Sequence, residues 1–250
     1  MRIIGKSKLI LRIIITCYKM FREAQTEQEN AGNLVRRENN INKMELEAMG
    51  AKPQLIMFMT GPGGAGKSAV INAFMSYCKE FCTNLGAHFD NRTIIVTAMT
   101  GVAATSIMGE TTSKAIGLGR KIYDYEWIKT FSNTRMVIVD EISFCTASQL
   151  GQLDHKLKLV KEEPHLTFGG VHVLFCGDFH QLPPIGGPAV SIWAQEHLLW
   201  HNVLNSFVEL TGTWRFLEDP EWGEILGRIR MSRETAQDLK KIETRLIVEK

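Results

Sequence analysis

From position 54 onward the hydrophobic pattern alternates between two kinds of segment. Short continuous apolar runs, "LIMFM" at Leu55–Met59, "TIIVTA" at Thr93–Ala98, "MVIVD" at Met136–Asp140, "VHVLFCG" at Val171–Gly177 and "SFVEL" at Ser206–Leu210, predict five strands. Runs without a polar face belong to strands buried on both sides, the habit of parallel sheets. Between them the pattern turns helical: Lys67 to Cys82, pieces after Gly101 and around Tyr123–Phe131, then Ser148–Val160. Two further helices are expected at Pro220–Met231 and Thr235–Leu246, the second opened by a capping box of Thr235 and Asp238. Crossovers of this length are right-handed, so the expected fold is α/β: a mostly parallel five-stranded sheet sandwiched between helices in three layers.

The first 53 residues keep no such rhythm. "MRIIGKSKLILRIIITCYKMF" is basic and apolar and is interrupted by Arg12; residues 1–22 carry Arg2, Lys6, Lys8, Arg12, Lys19 and Arg22 with no acid. It reads as a first helix with its basic residues outward and is too short to span a bilayer; it also fits an organelle-targeting amphipath. The next stretch, polar and rich in Asn and Glu, leads to Pro53, and the compact domain is expected to begin near Gln54.

Composition narrows the class without deciding it. The 250 residues are 44% hydrophobic and 22% charged, which excludes disordered and fibrous chains. The odd count of five cysteines and the lack of CxxC pairs point to a reducing compartment, and Cys78 and Cys82, one helical turn apart, read as core filling. From residue 55 onward 19 basic residues face 21 acidic ones, so net charge casts no vote for nucleic acid.

The chemistry gathers at strand ends. "GPGGAGKS", Gly61–Ser68, comes after the first strand and opens a helix, the context that a phosphate loop requires. Gly61, Pro62, Gly63, Gly64, Ala65 and Gly66 form the turn whose amides wrap an anion, and Ala69 continues the helix start. Lys67 is expected to reach the terminal phosphates of ATP, and Ser68 to offer its hydroxyl to Mg²⁺. The third strand ends in Asp140-Glu141, a pair suited to holding the metal (Asp140) and activating a water (Glu141). The fourth runs into "GDFHQLPPI", a polar cluster succeeded by two prolines that hold the chain extended.

Together "GPGGAGKS", "TAMTGVAATSIMGETTS", "VIVDEIS", "FGGVHVLFCGDFHQLPPI" and "VELTGTWRFLEDPEWGEILGRIR" resemble the successive motifs of the Pif-family DNA helicases, the Pif/RecD-like branch of superfamily one. The resemblance runs from Gln54 to Thr235 and implies a RecA-like P-loop NTPase fold. By that resemblance Lys67, Asp140, Glu141, Gln181 and Arg215 carry catalysis. Gln181 senses the γ-phosphate, Arg215 touches it from the end of the domain, and Thr100 and Gly101 lie against the phosphates of single-stranded DNA. It further implies 5′-to-3′ translocation driven by ATP and Mg²⁺, in DNA repair, recombination or telomere maintenance. The expected partner is single-stranded DNA, engaged by a monomer away from any membrane. A nuclear location is the expectation from the family and a mitochondrial one from the basic N-terminus.

Several positions depart from the family pattern. Thr111, Thr112 and Ser113 stand where a His is usual, Phe216 replaces the polar residue after Arg215, and only Gln25 and Gln28 are placed to serve an adenine-recognition motif. Arg228, Arg230 and Arg233 in "RIRMSR" read as a solvated helix face. The expected organisation is an N-terminal extension over 1–53, a first motor domain over 54–217, and C-terminal helices over 218–250 that begin a truncated second half. The alternative is a truncated nucleotide-binding module without helicase activity.

Overall fold

The computed structural model describes residues 54–86, 88–119, 125–187, 190, 202–211 and 214–245. The expected N-terminal helix, the targeting reading, and Gln25 and Gln28 lie outside the described residues.

Six strands form one sheet: β1 (Ile56–Thr60), β2 (Ile94–Ala98), β3 (Glu110–Thr111), β4 (Met136–Asp140), β5 (His172–Gly177) and β6 (Ser206–Glu209), in the order β3-β2-β4-β5-β1-β6. Every pairing is parallel. The expected α/β sandwich is therefore present with one strand more than the five that the apolar runs predict. The extra strand is two residues long and has no room to show a period.

Alternation along each strand feeds two cores. Ile56, Phe58, Val137, Val139, Val173 and Phe175 point to one face, while Met57, Met59, Met136, Ile138, Leu174 and Cys176 point to the other. The second face is covered by α1 (Lys67–Leu85), whose Ile71, Phe74, Cys78 and Cys82 recur at helical spacing, and by α2 (Gly101–Ser106) through Ala104. The cysteines are core residues, as their spacing implies. The first face is covered by α3 (Thr112–Ile116), by α4 (Tyr125–Lys129) and by α5 (Ala147–Lys161), which presents Leu150, Leu153, Leu157 and Val160. Helices on both faces make the three layers. Each large apolar side chain so buried contributes about 1.5–3 kcal/mol relative to exposure.

Thr146 opens α5 with a capping box: its hydroxyl accepts from the Gln149 amide at 3.2 Å while the Gln149 side chain accepts from the Thr146 amide at 2.8 Å. Two last helices come after β6, α6 (Pro220–Arg230) and α7 (Ala236–Glu243), and α7 begins on the Thr235–Asp238 box that the sequence predicts.

The lower rim of the sheet is stitched by side chains. Gln54 donates to the carbonyls of Thr167 and Val171, both at 2.7 Å, and Asn205 accepts from the Ile56 amide while donating to the Gln54 carbonyl. The Leu55 amide donates to His172 Nδ1 at 2.8 Å, so that ring must be neutral to act as an acceptor. Burial, helped by the nearby Arg135 charge, lowers the His172 pKa to about 4.

Phe175, fully buried in β5, when changed to Ala lowers stability by about 3–5 kcal/mol, read as a reduced urea midpoint with unchanged slope. His172 stays neutral in the fold but protonates in the unfolded chain near pH 6.5, so its contribution is complete above that value and lost as pH falls toward 4. Unfolding midpoints across that window should drop for the native chain more than for His172→Gln.

Candidate functional site

β5 lies between β1 and β4, so the C-terminal tips of three strands that carry polar residues stand side by side. In an open parallel sheet this edge, where the strand order reverses, is where ligands bind.

After β1 the chain turns through Gly61–Gly66. Gly66 takes the left-handed conformation at φ 95°, ψ 20° and begins α1 without a side-chain cap, which leaves first-turn amides directed at whatever anion sits there. No acidic residue occupies the first turn. Lys67 is buried and folds back over the loop, donating to the carbonyls of Gly61 at 2.7 Å and Pro62 at 3.4 Å. Gly64, at φ +83°, is where a side chain could not be added: a Cβ would lie 2.5 Å from the Cβ of Arg215. That close approach, with the Trp214 amide donating to the Gly64 carbonyl at 3.0 Å, brings the Trp214–Phe216 turn down onto the loop. At Gly63 two distant side chains converge. A Cβ there would stand 3.6 Å from Arg215 Nη1 and 4.0 Å from Gln181 Nε2.

Asp140 ends β4 fully buried, its Oδ1 accepting from the Glu141 amide at 2.9 Å. Burial raises the Asp140 pKa against the opposing pull of that amide and of Lys67. Glu141 sits at φ +56°, in the left-handed region that a non-glycine residue enters at a cost. Its Oε2 is buried and has no hydrogen-bond partner. Burial, then the neighbouring Asp140 and Asp178 charges, raise its pKa, while Lys67 and Arg215 draw it back.

Two crowded carboxylates with raised pKa values and an orphaned buried oxygen suit a cation and an ordered water. Ser68 and Asp140 supply oxygen donors of the kind Mg²⁺ takes. The residues present therefore fit a Mg²⁺-nucleotide.

At the tip of β5 the chain is held by Asp178 as much as by prolines. The carbonyl of Asp178 accepts from the Gln181 amide at 3.0 Å, its Oδ1 from the His180 amide at 3.1 Å, and its Oδ2 from Gln181 Nε2 at 3.4 Å. Pro183 and Pro184 stiffen the chain beyond the turn, but Leu182 and Ile185 are exposed, so the anchor lies upstream of them.

Lys67, Asp140, Glu141, Gln181 and Arg215 are thus gathered around one loop, while Thr100 and Gly101 stand further along the edge, after β2. Thr100 caps α2, its hydroxyl accepting from the Ala103 amide at 3.3 Å. The Met99 amide binds the Asp140 carbonyl, which ties this segment to the site, and Val102 beside it is 87% exposed. Thr112, one of the three residues at the departed His position, is turned inward and donates to the Thr97 hydroxyl, while Thr111 caps α3.

The "RIRMSR" run departs from the solvated face expected of it. Arg228 and Arg230 each grip a carboxylate: Arg228 binds Asp238 through Nε and Nη2 at 2.8 and 2.6 Å, and Arg230 binds Asp178 through Nε and Nη2 at 3.1 and 2.8 Å.

The sequence matches the family model described as PIF1-like helicase over residues 34–224. The chain belongs to the PIF1-like helicases. It is 30% identical over 202 residues to the ATP-dependent DNA helicase PIF1 of Saccharomyces cerevisiae, a match that takes in 74% of this chain and 23% of that protein. With the yeast ATP-dependent DNA helicase RRM3 it shares 28% identity over 205 residues, 76% of this chain and 27% of the relative. Among solved structures the Candida albicans Pif1 helicase superposes with a TM-score of 0.62 at 23% identity, over 83% of this chain and 47% of that one. The Bacteroides Pif1 helicase in complex with ADP-AlF3 and ssDNA gives the same TM-score at 22% identity, over 87% and 52%. At these identities the superpositions establish the fold. The chain spans about a quarter of the length of the curated relatives it matches and about half of the solved chains. Among the described residues no helix is long and apolar enough to cross a membrane.

The raised Glu141 pKa has a thermodynamic sign. An acid whose folded pKa lies above its unfolded value stabilises fully below the unfolded pKa, and that contribution is lost as pH rises through the folded one. Glu141→Gln should therefore melt at a higher temperature than the native chain at pH 7.5, with the difference shrinking toward pH 4. A native chain equally stable or more stable at pH 7.5 would contradict the burial argument.

Proposed function

We propose that this chain is the nucleotide-hydrolysing part of a DNA helicase motor, in which ATP bound at Gly61–Ala69 is cleaved and the cleavage is coupled to single-stranded DNA. The observation that carries the reading is the meeting of Gln181 and Arg215 at Gly63, near buried Asp140 and half-buried Glu141, whose Oε2 is shielded from solvent. Packing at Gly64 and the Asp178 hydrogen bonds bring these two polar side chains from separate strand ends to one glycine loop, and a terminal phosphate bound there would give both a common ligand.

In this reading the Lys67 ammonium and the loop and first-turn amides other than that of Ala65, which donates to the Pro62 carbonyl at 3.0 Å, hold the phosphates. Ser68 and Asp140 would hold Mg²⁺, which when bound neutralises phosphate charge. Glu141 Oε2 accepts the proton of a water as its oxygen attacks the γ-phosphorus and the bond to the ADP oxygen breaks, giving ADP and phosphate. The raised pKa of Glu141 suits it to this proton transfer. Arg215 Nη1 stabilises charge on the transferred group, and Gln181 reports its departure to the rest of the edge. Thr100 and Gly101, with Val102 and Met108 exposed beside them, form the track for DNA: backbone groups against phosphate and apolar side chains toward bases.

In domain terms, 54–217 is the first motor domain, and α6 and α7, from Pro220 to Glu243, belong to the start of a second half. Translocation from 5′ to 3′, service in repair, recombination or telomere maintenance, and a nuclear or mitochondrial setting come with the family and belong to the same proposal. The alternative, a binding module without turnover, makes a different demand on Glu141, which would then be dispensable.

Single-turnover hydrolysis of radiolabelled ATP, with and without oligothymidine, decides between them. The native chain should turn over ATP faster with DNA, Glu141→Gln should lose about 10²–10⁴-fold while still binding ATP, and Lys67→Ala should lose the binding itself. Gln181→Ala should keep ATP affinity and lose the DNA stimulation. Turnover that is absent in every condition, or indifferent to Glu141→Gln, would favour the module.

A further inference from the structure

Asp178 is the hinge of an arrangement that reaches well beyond the β5 tip. Its side chain is 1% exposed, and a carboxylate so deeply buried needs a partner to remain ionised. That partner is Arg230, 52 residues further along, bound through two parallel N–H···O contacts at 3.1 and 2.8 Å. The same two oxygens also accept from the His180 amide and from Gln181 Nε2, so one carboxylate holds both the arginine and the loop. Although burial alone would push the Asp178 pKa up, the Arg230 and His180 contacts hold it below the usual carboxylate range.

Arg230 is itself on a braced element. Residues two apart on a helix point away from each other, so Arg228 and Arg230 project to opposite sides of the last turn of α6. Arg228 takes Asp238, the third residue of α7, whose carboxylate also accepts from the Thr235 amide in the capping box. Two forked ion pairs in series therefore run from the start of α7, through the end of α6, to the tip of β5 and the Gln181 loop.

We propose that Arg230 is a positioning residue for Gln181, acting through Asp178, so that the seating of the α6–α7 pair sets the pose of the loop that senses the terminal phosphate. The part concerning the sensing role rests on the function proposed above; the positioning itself does not. Arginine suits the task because its fork fixes the orientation of the carboxylate as well as its charge. A lysine would neutralise Asp178 and leave its plane free.

The test measures amide hydrogen exchange in the full 250-residue chain for the native sequence, Arg230→Gln and Arg230→Lys. Loss of a charge-assisted pair should speed exchange at 178–182 by about tenfold or more in Arg230→Gln and by less in Arg230→Lys, with β5 and the first turn of α1 unchanged. Unchanged protection at 178–182 while α6 loosens would overturn the proposal and reduce the pair to a tether for the helix. Should Arg230→Gln fail to fold, Arg230→Lys decides alone: faster exchange at 178–182 supports the positioning role and unchanged exchange overturns it. In the same variants the KM for ATP should stay within about twofold while DNA-stimulated kcat falls about fivefold, since a positioning defect appears in the step rather than in binding. Equal losses in both would overturn the coupling of Arg230 to Gln181. A native chain that shows no DNA stimulation sinks the proposed function and leaves the exchange experiment to judge the positioning by itself.

Discussion

A parallel strand buried on both faces has nowhere to keep a polar side chain except its ends. In β1, β4 and β5 the alternating positions feed two separate cores, one under α1 and α2, the other under α3, α4 and α5. The charged side chains that go with those strands are therefore driven to the tips, and the strand order β3-β2-β4-β5-β1-β6 sets three tips side by side. The phosphate loop, the Asp140-Glu141 pair and the Asp178–Gln181 turn share one edge as a consequence of how the hydrophobic residues are disposed. The same constraint places Phe175, fully buried in β5 three residues before Asp178, among the residues that fix the strand whose end carries that acid.

Crowding at that edge sets its electrostatics. Asp140, Glu141 and Asp178 lie close enough for the charges of the other two to oppose the ionisation of Glu141, and burial adds to the opposition. Lys67, Arg215 and Arg230 answer them unequally. Arg230 is committed to Asp178 by a forked pair, so that carboxylate stays ionised and acts as a structural anchor. Lys67 rests on the carbonyls of its own loop, and the Arg215 guanidinium reaches the vicinity of Gly63. Asp140 and Glu141 are consequently the two acids left under-compensated, and an under-compensated buried acid is what a metal ion or a proton in transit can relieve.

The legibility of each feature in the sequence depends on the range over which it is encoded. The phosphate loop and the Asp140-Glu141 pair are dictated locally, by a strand, a glycine turn and a helix start in immediate succession, and they stand where the pattern puts them. The capping box at Thr235 and Asp238 is legible for the same reason, and so is the one at Thr146 and Gln149, where the T-x-x-Q spacing ahead of an apolar-periodic helix is an available signal. β3 is not legible, because two residues cannot display a period of two. The role of Arg230 is hidden because its partner is 52 residues away, and a run of arginines near a helix end looks the same whether its guanidinium groups meet water or a buried carboxylate. Arg215 comes only through resemblance. The physical reason it reaches the loop is Gly64, whose missing Cβ admits the Trp214–Phe216 turn.

The stiff Pro183-Pro184 pair invites the idea that rigidity alone holds Gln181, yet a proline restrains only its own φ and the backbone of its predecessor. It cannot decide which way a residue two positions earlier points. Hydrogen bonds can, and among the described residues three that reach the Gln181 turn end on Asp178, through its carbonyl and both carboxylate oxygens. The division of labour is then physical: the prolines stop the chain from folding back after the turn, and the buried acid aims the turn itself. Because a buried acid is only as fixed as its counter-charge, the aim passes to Arg230 and to the helix that carries it. A site assembled on strand tips is in this way referred to a helix pair beyond the sheet, a neighbour of the edge that the sheet's own hydrogen bonds do not hold.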